Sequence, residues 1–353
     1  MTKKLFPLLF LFLALSYISA AQKLDKPALD SLLNKLADQH KTIGSLTIAK
    51  DGNIIYQHAT GCVWITGDIE ILADVKSKYK IGSITKMFTA VIIFQLIEEG
   101  KLSLDTKLST FYPELPNAPK ITISNMLNHR SGLHDFSNDS LYNQYSNKPQ
   151  THEQMLTIFA SQKPDFEPNT KADYSSTNFV LLGYIIENIT KRPYPEELKT
   201  RIISKLGLMD TECGVASKTG NVSNPFSRAV PYAYKNGWSK LPETNIDIFG
   251  GAGAIVSTPT DLVKFASAFF GGKLISAEHL KTMETLKDWF GMAMFEMDFK
   301  GKKGFGHEGQ LDGFNSILTY FPKEKLAIAY CSNGGDYMPP KVKEDVLKVL
   351  FNK

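Results

Sequence analysis

A serine and a lysine stand three residues apart in "GSITK", as Ser83 and Lys86, just before a long apolar run. On a helix that spacing places both side chains on one face, so the amine can reach the hydroxyl. A serine hydroxyl is a weak nucleophile until a base removes its proton. Lysine can be that base only when neutral, and lowering its pKa from ~10.4 to near 7 costs on the order of 4–5 kcal/mol. Burial against apolar surface produces such a shift, and the run from Met87 to Ile97 supplies that surface. At a helix N-terminus, Ser83 also turns its own N–H toward a developing oxyanion. The pattern S-x-x-K is expected about once by chance in a chain of this length. It occurs twice: the rival, Ser77 to Lys80 in "VKSKYK", is short, charged and followed by a strand. Ser77 is therefore read as a solvated loop residue.

Other reactive residue types lead nowhere as clear. His129 and His134 in "NHRSGLHDF" invite a triad with Ser131 and Asp135, but the chain has no G-x-S-x-G elbow. His152-Glu153 and His307-Glu308 lack the second histidine of H-E-x-x-H. Cys62, Cys213 and Cys331 are far apart with no C-x-x-C, which excludes a disulfide scaffold and a zinc site. One disulfide remains open, although "IAYCSN" suggests that Cys331 is plain strand core. "GGAGAIVS" lacks the lysine and spacing of a P-loop and reads as a tight turn, with Gly250, Gly251 and Gly253 near a pocket. No cofactor or metal is implied.

The elements that must position these residues follow from periodicity. Pro27 to His40 reads as an amphipathic helix, and "SLTIAKDGNIIYQHATG" as two strands around a turn at Asp51-Gly52. Tyr79 to Gly82 reads as a short strand entering the apolar helix, which ends at Gly100. Short helices with Pro- and Asn-rich connections follow, the longest beginning near Ser176. Another helix is capped by Thr258 or Thr260. Strands then return in "KGFGHEG", "FNSILTYFPKE" and "LAIAYCSN", before a closing helix from Pro340. Strands at both ends and helices between imply an α/β (α+β) fold, with an antiparallel sheet flanked by helices and interrupted by a mostly helical insertion. The division expected is a sheet part at about 22–99 and 246–353, and a helical part at about 100–245.

Residues 1–21 read as a secretory signal, with Lys3 and Lys4 before an apolar stretch of roughly 14 residues. That implies a secreted or periplasmic protein of about 330 residues with no stable membrane span expected, the alternative being that the leader stays uncleaved as an N-terminal anchor. Of 40 basic and 36 acidic residues the signal holds two lysines and no acid, which leaves 38 to 36. Near-neutral charge without a basic stripe argues against nucleic acid.

Six segments in order, "YKIGSITKMFTA", "ITISNMLNHRSGLHDF", "FEPNTKADYSSTNFVLLGYIIENIT", "IISKLGLMDTE", "GGAGAIVSTPTDLVKF" and "GFGHEGQLDGFNS", span most of residues 25 to 335. In these the chain resembles the serine β-lactamase and penicillin-binding superfamily, in its class C, D,D-peptidase and family VIII esterase branch. The resemblance implies a β-lactamase/transpeptidase-like fold and Ser83 and Lys86 as nucleophile and base. It implies a Y-x-N motif facing them. Tyr145-Ser146-Asn147 and Tyr234-Lys235-Asn236 match its letters, but only Tyr174 follows "FEPNTK" and precedes the long helix, as the family requires. Tyr174 would share the proton work with Lys86, as phenolate beside ammonium in a coupled pair. Ser176 then stands where the family carries asparagine. Its hydroxyl is shorter and offers one donor instead of two, which disfavours β-lactam and peptide recognition more than ester cleavage.

The family's strand motif falls on His307-Glu308-Gly309, whereas "SKTG" at 217–220 lies between helices. His307 would hydrogen-bond Tyr174 or hold an anionic substrate group. Gly309 would leave room for the substrate, and Glu308 would point away from the pocket. The N–H of Gln310 would be the second oxyanion donor beside that of Ser83. The implied activity is acyl-enzyme hydrolysis of D-amino-acid peptides of cell-wall type, small esters or β-lactams. The other reading is a non-catalytic penicillin-binding-like receptor that binds peptides without turnover.

Overall fold

The computed structural model describes residues 24–67, 69–214 and 228–351. The leader expected over residues 1–21 and the "SKTG" of 217–220 lie outside them. The helices that bear on the site are α1 (Lys26–Asp38), α2 (Thr85–Glu98), α3 (Ser176–Thr190), α4 (Pro259–Phe270) and α5 (Pro339–Phe351). The strands of the main sheet are β1 (Ile43–Lys50), β2 (Asn53–Thr60), β3 (Phe295–Glu296), β4 (Phe305–Leu311), β5 (Phe314–Phe321) and β6 (Leu326–Gly334).

These strands run antiparallel in the order β3-β4-β5-β6-β1-β2, so the two ends of the chain build one sheet. Strand alternation sorts its faces. Leu326, Ile328 and Tyr330 of β6 join Leu46 and Ile48 of β1 in a core with Leu29 and Leu33 of α1 and Val342 and Val346 of α5. Ala327, Ala329 and Cys331 point into the other core, where small side chains let α4 pack closely. Thr258 caps α4 by accepting the Asp261 N–H at 3.1 Å. Thr260 instead bonds Thr47 and Gln57, which pins the helix to β1 and β2.

The stretch Met87–Leu96 of α2 is buried on every side. Each buried Met, Phe, Val, Ile or Leu side chain contributes ~1.5–3 kcal/mol. Seven such side chains between Met87 and Leu96 outweigh the few kcal/mol needed to desolvate one amine, so Lys86 is drawn in with its helix and is 0% exposed.

Residues 100–245 are less purely helical than the sequence suggests. Glu212–Cys213 and Tyr79–Lys80 both pair with Ile255–Ser257 in a small sheet. Tyr232–Tyr234 and Trp238–Lys240 form a hairpin bridged to β6 at Gly334. Segments of two or three residues are too short for alternation to register. All three cysteines are free and buried, so the disulfide left open by their number does not form.

Candidate active site

Ser83 sits in a single 3-10 turn, Gly82–Ile84, between the strand Tyr79–Lys80 and α2. Two glycines let this turn press against β4. Gly82 has φ +49°, and a Cβ there would lie 2.8 Å from the Gln310 nitrogen. A Cβ on Gly309 would lie 1.9 Å from the Ile81 carbonyl oxygen. Ser316 donates its hydroxyl to the same carbonyl at 2.9 Å, which ties β5 to the turn as well. The backbone nitrogens of Ser83 and Gln310 are thereby brought to one short stretch of the cleft wall.

Lys86 Nζ donates to Ser83 Oγ at 2.9 Å and to the Ala252 carbonyl at 2.9 Å. It lies 4.9 Å from the centre of the Tyr174 ring and 5.7 Å from that of Phe179. Burial pulls its pKa down to about 7, against a smaller opposing pull from Asp135. Near neutrality the amine therefore divides between free base and ammonium.

Tyr174 lies across the same serine, and burial pushes its phenol up while a hydrogen bond with Ser83 draws it partly back. Desolvation penalises both charged forms, which works against the phenolate and ammonium pair that the resemblance implies. His129 stacks on the Tyr174 ring with centroids 4.4 Å apart. Its Nδ1 accepts the Ser175 N–H at 3.1 Å. Burial, then Lys86, holds His129 well below its usual range.

His307 departs from expectation. Its ring centroid is 6.2 Å from that of Tyr174, and Nδ1–H donates to the Glu308 carbonyl at 2.5 Å. Burial, reinforced by Lys86, lowers its pKa to about 3. A neutral ring with Nδ1–H engaged presents only the lone pair of Nε2, which has no partner. Burial thus works against the charged ring that would hold an anionic group. Glu308 also differs, because it lines the cleft although alternation turns it from His307. The cleft continues past the strand toward α5, where Lys343 faces that carboxylate.

Ser176 opens α3, and its N–H is taken by Asp135 Oδ2 at 3.1 Å. A carboxylate from a distant segment thus satisfies one of the orphan donors at this N-terminus. The Ser176 hydroxyl is not among the hydrogen-bond partners of Lys86. Asp135, His129, Phe179 and the Ala252 carbonyl belong to the site, and sequence reasoning gave none of them a place. The one signal available was the density of polar residues in "NHRSGLHDF".

Ser83, Tyr174, Ser176, His307, Gly309 and Gln310 all line one cleft of about 1050 Å³, with Lys86 beneath Ser83. The rivals lie elsewhere. Ser77 is buried, not solvated, because its hydroxyl closes a turn on Asp74. Lys80 pairs with Glu243 and Asp312. Tyr145 donates to the Phe136 carbonyl from a short helix, and Tyr234 stacks on His40. Ser131 accepts the Leu133 N–H, and His134 pairs with Asp165, so no triad assembles. Among the described residues no cluster of metal-ligating side chains occurs, and no helix is long and apolar enough to cross a membrane.

A sheet built from both ends of the chain, with a serine and a buried lysine under a tyrosine at its edge, defines the class. Residues 29–352 match the sequence profile of the family described as Beta-lactamase, and the chain belongs to that family. It is a serine hydrolase of the β-lactamase and penicillin-binding fold. Penicillin-binding protein 4 of Amycolatopsis lactamdurans is 25% identical over 332 residues, 84% of this chain and 82% of its own. Teichoic acid D-alanine hydrolase of Staphylococcus aureus is 26% identical over 322 residues, 88% of this chain and 73% of its own. The crystal structure of D-amino acid amidase from Ochrobactrum anthropi SV3 with L-phenylalanine amide matches with a TM-score of 0.82 at 25% identity. It covers 92% of this chain and 98% of the amidase.

Proposed function

We propose that this protein hydrolyses amides or esters of D-amino acids through an acyl-enzyme on Ser83. Lys86 takes the hydroxyl proton as Ser83 Oγ bonds to the carbonyl carbon. The N–H groups of Ser83 and Gln310 bind the oxyanion. Tyr174, as a protonated phenol, relays the proton to the departing amine or alcohol. Water then attacks the ester, and the acid leaves as Ser83 regains its proton. The observation that carries this reading is the 2.9 Å contact between Ser83 Oγ and a fully buried amine whose pKa lies at about 7. The preference for D-amino acids is supported by the names of two relatives, a D-alanine hydrolase and a D-amino acid amidase. Ser176, Gly309 and the neutral His307 would shape the substrate subsite. The division at about 100 and 246, and export by residues 1–21, belong to the same proposal.

Intact-mass analysis with a fluorophosphonate and a p-nitrophenyl ester tests it. Wild type is expected to gain one adduct, on the Ser83 peptide, and to release product, whereas Ser83→Ala does neither. Equal labelling of the two proteins would discard this nucleophile. Absence of any adduct or product would favour a receptor without turnover. The pH profile is a second check. Since free amine is required, kcat/KM should rise through about pH 7 and level off above it. A profile flat from pH 5 to 8 would remove Lys86 as base.

A further inference from the structure

We infer that the cleft selects acyl donors bearing a free ammonium group, as in an unblocked aminoacyl amide or ester, over donors bearing a carboxylate. The inference rests on the acyl-enzyme reading above and names its substrate class.

Among the described residues, the cleft wall carries the carboxylates of Asp135, Asp173, Glu296, Asp298, Glu308 and Asp312 against one ammonium, Lys343. A cleft lined by one sign of charge focuses its field and concentrates the opposite sign. Some of this charge is answered locally: Glu296 lies 4.0 Å from Lys303, and its hydrogen bond with Asp298 raises its pKa. Lys80 lies 3.0 Å from Asp312, and Lys343 faces Glu308. Lys171 meets Asp173 at 3.2 Å, but both are more than half exposed and solvent screens the pair. Asp135 is 5% exposed and takes its hydrogen bonds from Ser137 and the Ser176 N–H, with no cation among the described residues in ion-pair distance.

An independent feature points the same way. His307 is 2% exposed, lines the cleft, and leaves Nε2 without a partner while Nδ1–H is spent on the Glu308 carbonyl. With Nδ1–H so engaged, the neutral ring that burial favours offers this nitrogen as an acceptor. A substrate carboxylate would meet acceptors and like charge here, and the neighbouring cations are already engaged. Lys86 serves Ser83 and Ala252, Lys80 serves Asp312 and Glu243, and Arg130 serves Asn169 and Asp288. An ammonium brings three donors and the complementary charge.

The test compares D-alaninamide, N-acetyl-D-alaninamide and N-succinyl-D-alaninamide, with ammonia release as the readout. With wild type, kcat/KM should fall at least about tenfold on acetylation and further on succinylation. Raising salt from about 50 to about 500 mM should narrow the spread. In Asp173→Asn/Glu296→Gln, two exposed positions whose change does not threaten folding, the spread should shrink severalfold through KM. Equal rates for the three amides, or a succinylated substrate that is fastest, would overturn the inference. Fluorophosphonate labelling of the same preparation separates the two levels. Labelling that requires Ser83, with equal rates, removes the charge preference alone. Loss of labelling removes the acyl-enzyme reading and this inference with it.

Discussion

Replacing Lys86 with methionine is expected to lower acylation of Ser83 by about 10²–10⁴-fold, the range that general-base catalysis supplies. The serine hydroxyl would keep its place in the 3-10 turn, because Gly82, Gly309 and Ser316 hold that turn and Lys86 does not. Stability should move the other way. The folded chain depresses the Lys86 pKa from 10.5 to about 7. Protonated lysine is thus disfavoured in the fold relative to the unfolded chain, by a few kcal/mol at about 1.36 per pH unit. The sign follows from proton binding. Between about pH 7 and 10.5 the unfolded chain holds more protons, so wild-type stability from this group rises with pH across that window. Below about 7 the penalty is complete. Methionine carries no charge, and its apolar stem fits between Phe179 and the Tyr174 ring. The Ala252 carbonyl loses its partner, which offsets part of the gain. A thermal melt near pH 6 should therefore show a midpoint for Lys86→Met at or above that of wild type, together with the loss of activity. Retained turnover would sink the base assignment. A collapsed midpoint would show that the amine is structural.

The second large effect is expected from Gly309→Ala. One added carbon would lie 1.9 Å from the Ile81 carbonyl oxygen and 2.5 Å from Ser316 Oγ, distances that van der Waals contact forbids. The strand β4 and the serine turn must separate to admit it. A cost of ~1–3 kcal/mol in stability follows from overpacking. A loss of about 10²-fold in kcat/KM follows because a shift near 1 Å is enough to misplace a nucleophile from its oxyanion donors. Fluorophosphonate labelling rate and thermal midpoint measure the two parts. A variant matching wild type in both would mean that the close packing of β4 on the turn is dispensable. Alanine at the neighbouring Gln310 offers the contrast. It keeps the backbone N–H and adds no atom toward Ile81, so a much smaller change in labelling is expected.

How much of this was legible beforehand depends on the range of each interaction. The Ser83–Lys86 contact is one helical turn, and a mostly apolar run states in the sequence that the turn will be buried. The sheet strands at both ends and α4 were equally local, although the sequence left its cap open between Thr258 and Thr260. Tyr174, His307 and Gly309 needed the resemblance, since their separation from Ser83 carries no periodic signal. Local reasoning failed where a distant partner decided the outcome. Ser77 looked solvated because its surroundings are charged, but Asp74 and the folded chain around them bury it. The helical reading of 100–245 missed paired segments of two or three residues, whose partners supply the strand geometry.

The amino-acid order by itself determined the Ser83–Lys86 spacing and the elements that carry it, because these are written in periodicity and hydrophobicity within a few residues, while the family showed in six ordered segments across the chain. Only the tertiary structure decided the burial that shifts each pKa and the partners behind the reactive groups. Lys86 finds the Ala252 carbonyl across 166 positions, Asp135 meets the Ser176 N–H across 41, and His307 turns Nδ1 back on its own strand. Protonation depends on the water and charge removed or supplied by every neighbour in space, a sum that no local pattern contains.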